Sequence, residues 1–150
     1  MIRKTIAVAM LLCATPALAQ SQQEKLDQRY ERALAAGYKA LFLCSAIANA
    51  ERNGTTRTPE SVHEWELTGI QAPLDRIVRE LPYEVLRHSA ANPKSSQPQI
   101  MAVTVEWADD MRPRIAMHDS QQGCQLYPIG GVQPPMYTIR PQPSASIEVL

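Results

Sequence analysis

IMAVTVEWADDMRPRIAMHD, Ile100 to Asp119, changes the rhythm of this 150-residue chain. Before it, apolar residues recur every three or four positions. Within it, Met101, Val103, Val105 and Trp107 alternate with other residues, Asp109 and Asp110 mark a turn, and Ile115 and Met117 resume the alternation. Two-residue spacing puts one set of side chains on one face of a strand, so the stretch predicts a hairpin. A helical period followed by a strand period in one short chain predicts an α+β fold, in which a long helix packs on a small antiparallel sheet.

Working outward from the hairpin, the polar loop Asn92 to Pro98 separates it from Tyr83 to His88, which reads as a third strand. Before that, Leu74, Ile77, Val78 and Leu81 fall on one side of a helical turn or two between Pro73 and Pro82. Thr58 followed by Pro59 is a helix start, because proline at the first helical position lacks an amide that would have no partner there. SVHEWEL continues that helix toward Gly69. Further back, Leu26, Tyr30, Ala33, Leu34, Gly37, Leu41, Cys44 and Ile47 are spaced for one long helix from Gln22 to Glu51, opened by the capping-box pair Ser21 and Glu24. Asn53 and Gly54 end it, since both tolerate left-handed backbone angles. The expected packing sets Leu34, Leu41, Cys44 and Ile47 against Val103, Val105 and Ile115.

The chain opens with Arg3 and Lys4, an apolar run from Ile6 to Ala14, and the small-residue pattern Ala17, Leu18, Ala19. This is the form of a secretory signal peptide over residues 1–19, cut between Ala19 and Gln20. The apolar run is shorter than the roughly 18 to 20 residues a membrane span needs. A lipid anchor at Cys13 is disfavoured by the bulky Leu12 before it. Cleavage removes Cys13 and leaves Cys44 and Cys124 in a chain bound for an oxidising periplasmic or extracellular space, where one intramolecular disulfide is the expectation and two buried thiols the alternative. Such a bridge closes a loop of about 80 residues, for which chain entropy gives roughly 4 to 5 kcal/mol.

The exported part carries 13 basic and 15 acidic side chains once Arg3 and Lys4 are removed, a net charge near minus two. A nucleic-acid binder shows a clustered basic excess and a membrane-surface protein a polybasic segment; neither is present. Eight aromatic residues predict a modest, mostly aliphatic core. From Pro128 the chain holds five of its twelve prolines without a sustained period, which reads as a linker or tail over 128–150. The predicted organisation is therefore a signal peptide (1–19), one α+β domain (20–127) and that tail.

No reactive motif emerges. A Ser-x-x-Lys nucleophile is missing, because no serine is followed three residues later by lysine, and no Gly-x-Ser-x-Gly elbow occurs. His63, His88 and His118 are far apart, and HEWEL lacks the second histidine of a zinc-binding His-Glu-x-x-His. Glu64 and Glu66, two apart, do not face each other on a helix. Gly130 and Gly131 lack the context of a phosphate loop. Ser45 is the one tempting nucleophile, but Ala48 and Asn49 follow it at helical spacing, so any base would have to come from a distant histidine. No catalytic residue, cofactor or metal ligand is expected.

Gly37-Tyr38-Lys39-Ala40, Leu43-Cys44-Ser45, Glu66-Leu67-Thr68-Gly69, and Gly123-Cys124 ahead of Leu126 together resemble the region before the catalytic domain in secreted serine hydrolases related to class C beta-lactamases, esterases and 6-aminohexanoate-dimer hydrolases. The resemblance covers roughly Leu34 to Pro128. It implies a non-catalytic helical and β extension, with two cysteines placed to pair, set before a penicillin-binding-like domain. The chain departs from that pattern by stopping where the catalytic domain would begin. Two function classes follow: an accessory domain of a serine hydrolase, stand-alone or truncated, whose partner is a hydrolase catalytic domain; or an independent small periplasmic binding or inhibitor-like protein.

Overall fold

The computed structural model describes residues 2–91 and 98–130. Of the loop expected from Asn92 to Pro98 only Pro98 is described, and it opens a strand; of the tail expected over 128–150 only residues 128–130 are described, and the rest of both lies outside the described residues. Helix α1 (Ile2–Arg52) is followed by α2 (Pro59–Trp65), α3 (Leu74–Glu80), β1 (Tyr83–Ala91), β2 (Pro98–Val105), β3 (Arg114–Asp119) and β4 (Gly123–Leu126). The strands form one antiparallel sheet in chain order. A long helix and two short ones against an antiparallel sheet make the fold α+β.

Helix α1 begins well before the expected Gln22 and runs through Ser21, which is therefore no cap in the uncleaved chain; the predicted cut between Ala19 and Gln20 falls inside the helix. Its far end stops where expected. Gly54 adopts φ +71°, its N–H donates to the Glu51 carbonyl and Thr55 N–H donates to the Ala50 carbonyl, the paired bonds of a Schellman motif. Thr58 caps α2 by accepting from Ser61 N–H, with Pro59 next, but the helix ends at Trp65 rather than near Gly69.

The buried face of α1 is rich in alanine, with Leu43 and Ile47 its larger members. Ala33, Ala36, Ala40, Leu43, Cys44, Ile47 and Ala48 are buried there, joined by Val103, Val105, Ile100 and Ala116 from the strands. Leu34, expected in this contact, is exposed, and Leu41 is only partly covered. The physical reason is distance: alanines let a helix approach a sheet closely, and larger side chains at those positions would hold it off. Gly37 carries this furthest, since a Cβ there would sit 3.1 Å from both Arg114 Nη2 and Leu126 Cδ2.

The strand faces also depart from a simple alternation. Leu86 pairs with Ala102 but Arg87 pairs with Ile100, so Met101 is an extra residue in β2. This bulge puts Ile100 rather than Met101 on the helix side with Val103 and Val105. Ile115, expected opposite α1, instead joins Leu86 and Ala102 in a second small cluster with Met101 and Met117, while Ala116, paired with Val103, faces the helix. The fourth strand was not expected. Asp119 Oδ1 accepts from Gln121 and Gln122 N–H, each at 2.8 Å, and Gly123 at φ +77° reverses the chain into β4.

Length and composition alone would let Gln20–Arg52 cross a membrane. More than half of its most apolar window is buried against the rest of the domain, so within this fold the segment acts as the core helix.

Candidate functional site

Three places gather polar side chains against this frame. The first surrounds the cysteines. Cys44, on the buried face of α1, and Cys124, in the edge strand β4, form a disulfide with Cα atoms 6.0 Å apart across 80 residues of sequence. Ser45, the next residue on α1, lines a cavity of about 350 Å³ together with Arg52, His118, Asp119 and Cys124. The fold thus supplies the distant histidine that sequence spacing could not name. No hydrogen bond joins Ser45 to His118 among the described residues, and the Asp119 carboxylate is committed to the amides of the β3–β4 turn. Those amides, Gln122 before Gln121, hold its pKa below the ordinary carboxylate value. A serine nucleophile needs a base engaged with its hydroxyl and a group orienting that base; among the described residues no hydrogen bond supplies either to Ser45 and His118.

The second place is a groove of about 500 Å³ between the last turns of α1 and the loop into α2, with Phe42, Asn49, Asn53, Thr56, Arg57 and Glu66 on its walls. Arg57 and Glu66 pair at 2.5 Å, which fixes one side of the groove and separates Glu66 from the exposed Glu64.

The third place is buried, and sequence reasoning missed it. Lys39 is 1% exposed. Its Nζ donates to the Val78 carbonyl at 2.9 Å and the Leu81 carbonyl at 2.7 Å, and lies 4.7 Å from the centre of the Tyr83 ring. The ammonium thereby satisfies carbonyls at the carboxyl end of α3, where the helix leaves them unpaired and its dipole favours a cation. Among the described residues no carboxylate pairs with it, and burial lowers its pKa to about 8. Tyr83 also packs on His63, ring centres 5.4 Å apart. Burial and the Lys39 charge lower the His63 pKa, and burial raises that of Tyr83. The available signal was position: Lys39 sits between Ala36, Ala40 and Leu43, on the apolar side of the helix.

His63, His88 and His118 lie on three different elements, α2, β1 and β3. Among the described residues, no three of His, Cys, Asp and Glu gather as a metal site. No family model matches the chain, and no curated protein or solved structure matches it.

Proposed function

We propose that this chain is an exported, non-catalytic accessory domain of the kind that precedes the catalytic domain in secreted serine hydrolases, working in the periplasm or outside the cell. One observation carries the reading: several of the residues that resemble those hydrolases are ones this fold uses to hold itself together. Gly37 makes room for Arg114 and Leu126. Lys39 caps α3, and Cys44 is bonded to Cys124. Leu43 and Leu67 are core residues. A motif spent on packing, a cap and a cross-link marks a scaffold whose function is to be joined to or bound by something else. The signal-like amino terminus and the disulfide support export.

The test is direct. The purified chain from Gln20 onward should hydrolyse neither short-chain nitrophenyl esters nor a chromogenic cephalosporin above the protein-free blank, and a fluorophosphonate probe should leave its mass unchanged. Stoichiometric labelling of Ser45, lost in Ser45→Ala, would replace this reading with that of an enzyme built on Ser45 and His118. The genomic sequence just downstream discriminates within the non-catalytic class. A Ser-x-x-Lys-bearing reading frame there supports the accessory domain, whereas unrelated sequence supports an independent periplasmic binding protein.

A further inference from the structure

Residues 56–68, which contain α2, are bonded to themselves rather than to the rest of the domain. Thr58 Oγ1 accepts from Ser61 N–H, Arg57 donates to Ser61 Oγ and pairs with Glu66, and Thr68 Oγ1 donates to the Trp65 carbonyl. Glu66 and Leu67 N–H both donate to the Val62 carbonyl. Among the described residues, every hydrogen bond and ion pair of this stretch has both ends inside it. It lies between Gly54 at φ +71° and Gly69 at φ +77°, where the backbone turns in and out of it. The stretch is held against the domain by the burial of Val62 and Leu67 and by the His63 ring, which packs on Tyr83.

The ring contact is the part of this attachment that a proton can undo. His63 Nε2 is shut off from solvent and, among the described residues, meets no hydrogen-bond partner. A neutral imidazole tolerates this, because one of its nitrogens carries no proton. An imidazolium carries N–H at both and needs an acceptor for each. We propose that residues 56–68 are an acid-released flap: protonation of His63 expels its ring from beside Tyr83 and Lys39, and α2 leaves the domain while α1 and the sheet stay folded.

The charged groups around His63 favour release on balance. Lys39 of α1 remains an ammonium, pinned by the Val78 and Leu81 carbonyls against the same Tyr83 ring, so a second positive charge is added next to one that is fixed. Arg79 of α3 adds to it, and Tyr83 of β1 stays an uncharged phenol, because burial raises its pKa. Glu60, one turn earlier on α2, acts the other way but is exposed. Burial first, and the Lys39 charge second, lower the His63 pKa from its ordinary 6.5. The closed flap is therefore favoured in full above pH 6.5 and loses that support as pH falls through the lowered value. Release uncovers Val62 and the Tyr83 ring, so that a change in acidity becomes a change in exposed surface. The inference does not depend on the hydrolase reading.

Amide hydrogen exchange of the chain from Gln20 onward, with each rate divided by the intrinsic rate at the same pH, tests it. A helix of 7 residues does not persist in water once its contacts are lost, so release exposes its amides. Between about pH 7.5 and about pH 5, protection of the Glu66 and Leu67 amides should fall at least about tenfold, because one proton taken up on opening raises the open fraction by up to about tenfold per pH unit. The amides that pair β2 with β3 should keep their protection. His63→Phe, which leaves a ring on Tyr83 but cannot take a proton, should hold the Glu66 and Leu67 amides protected across the whole range. If His63→Phe fails to keep the wild-type circular dichroism, His63→Gln serves instead. Flat protection in the wild-type chain overturns the proposal. So does a fall that persists without His63, or one shared by the amides of β2 and β3, which is acid unfolding of the whole domain.

Discussion

Lys39 places an ammonium where the helix turns its apolar side inward, and the consequences can be measured at that single residue. Its pKa is about 8 in the folded chain against 10.5 for an ordinary lysine, so between those values the unfolded chain holds more protons than the folded one. Stability therefore rises as pH increases from about 8 toward 10, by on the order of 1 to 3 kcal/mol. Above 10 the raised pKa of Tyr83 works in the opposite direction, since the folded phenol keeps a proton that the unfolded one loses. Urea unfolding at several pH values should show this rise, and Lys39→Met should abolish it while costing about 1 to 3 kcal/mol for the two carbonyls left without a donor. Gly37 makes a complementary test. Gly37→Ala should stay within about 1 kcal/mol of wild type, because the gain in helix propensity offsets the small shift asked of two flexible side-chain ends. Gly37→Leu should cost about 1 to 3 kcal/mol by pushing Arg114 and Leu126 off the helix.

Among the elements, the carboxyl end of α1 and the bulge of β2 depend on each other. Glu51 pairs with Arg87 at 2.5 Å and accepts from Ile100 N–H at 2.8 Å, while Arg87 also donates to the Pro98 carbonyl. One carboxylate thus serves both strands where their register slips. Glu51→Ala should cost about 2 kcal/mol, since it strands a part-buried guanidinium and a ladder amide together. Val105→Asp should unfold the domain outright, because an unpaired charge in the contact between α1 and the sheet costs several kcal/mol; a cooperative melt with an unchanged midpoint would contradict this packing. Much at this scale was legible in the residues. The long helix, its Asn53-Gly54 end, the Thr58-Pro59 start and the change of period at Ile100 each have a local cause. The inward face of α1 was not legible, because a search for large apolar residues selects Leu34 and Leu41 and passes over the alanines that permit close approach. The parity of β2 was hidden by one inserted residue, Met101, which a two-residue period cannot represent. GCQL was too short and too polar to announce β4, although Asp119 and Gly123 are the turn residues that make it.

For the whole molecule, the disulfide is the main long-range constraint. It ties the helix that opens the chain to the last strand of the sheet, and Cys44→Ser should cost about 2 to 5 kcal/mol in urea unfolding. Non-reducing peptide mapping should recover one linked pair containing Cys44 and Cys124, and mass analysis of the exported protein should place its first residue at Gln20. The candidate sites were less legible than the fold. The Ser45–His118 cavity needs β3 brought back beside α1, a relation between residues 73 positions apart that no local spacing encodes. The role of Lys39 needed the end of α3 to be placed above it.

The bridge also sets an order in time. A ribosome working at about 5 to 20 residues per second makes Cys124 roughly 4 to 16 seconds after Cys44. At the start of that interval the inward face of α1 has no sheet to meet, and the sheet stays incomplete until β4, which carries Cys124, is made. Assembly of this domain is therefore a late event. No fragment ending short of Cys124 can acquire the covalent bond that closes it.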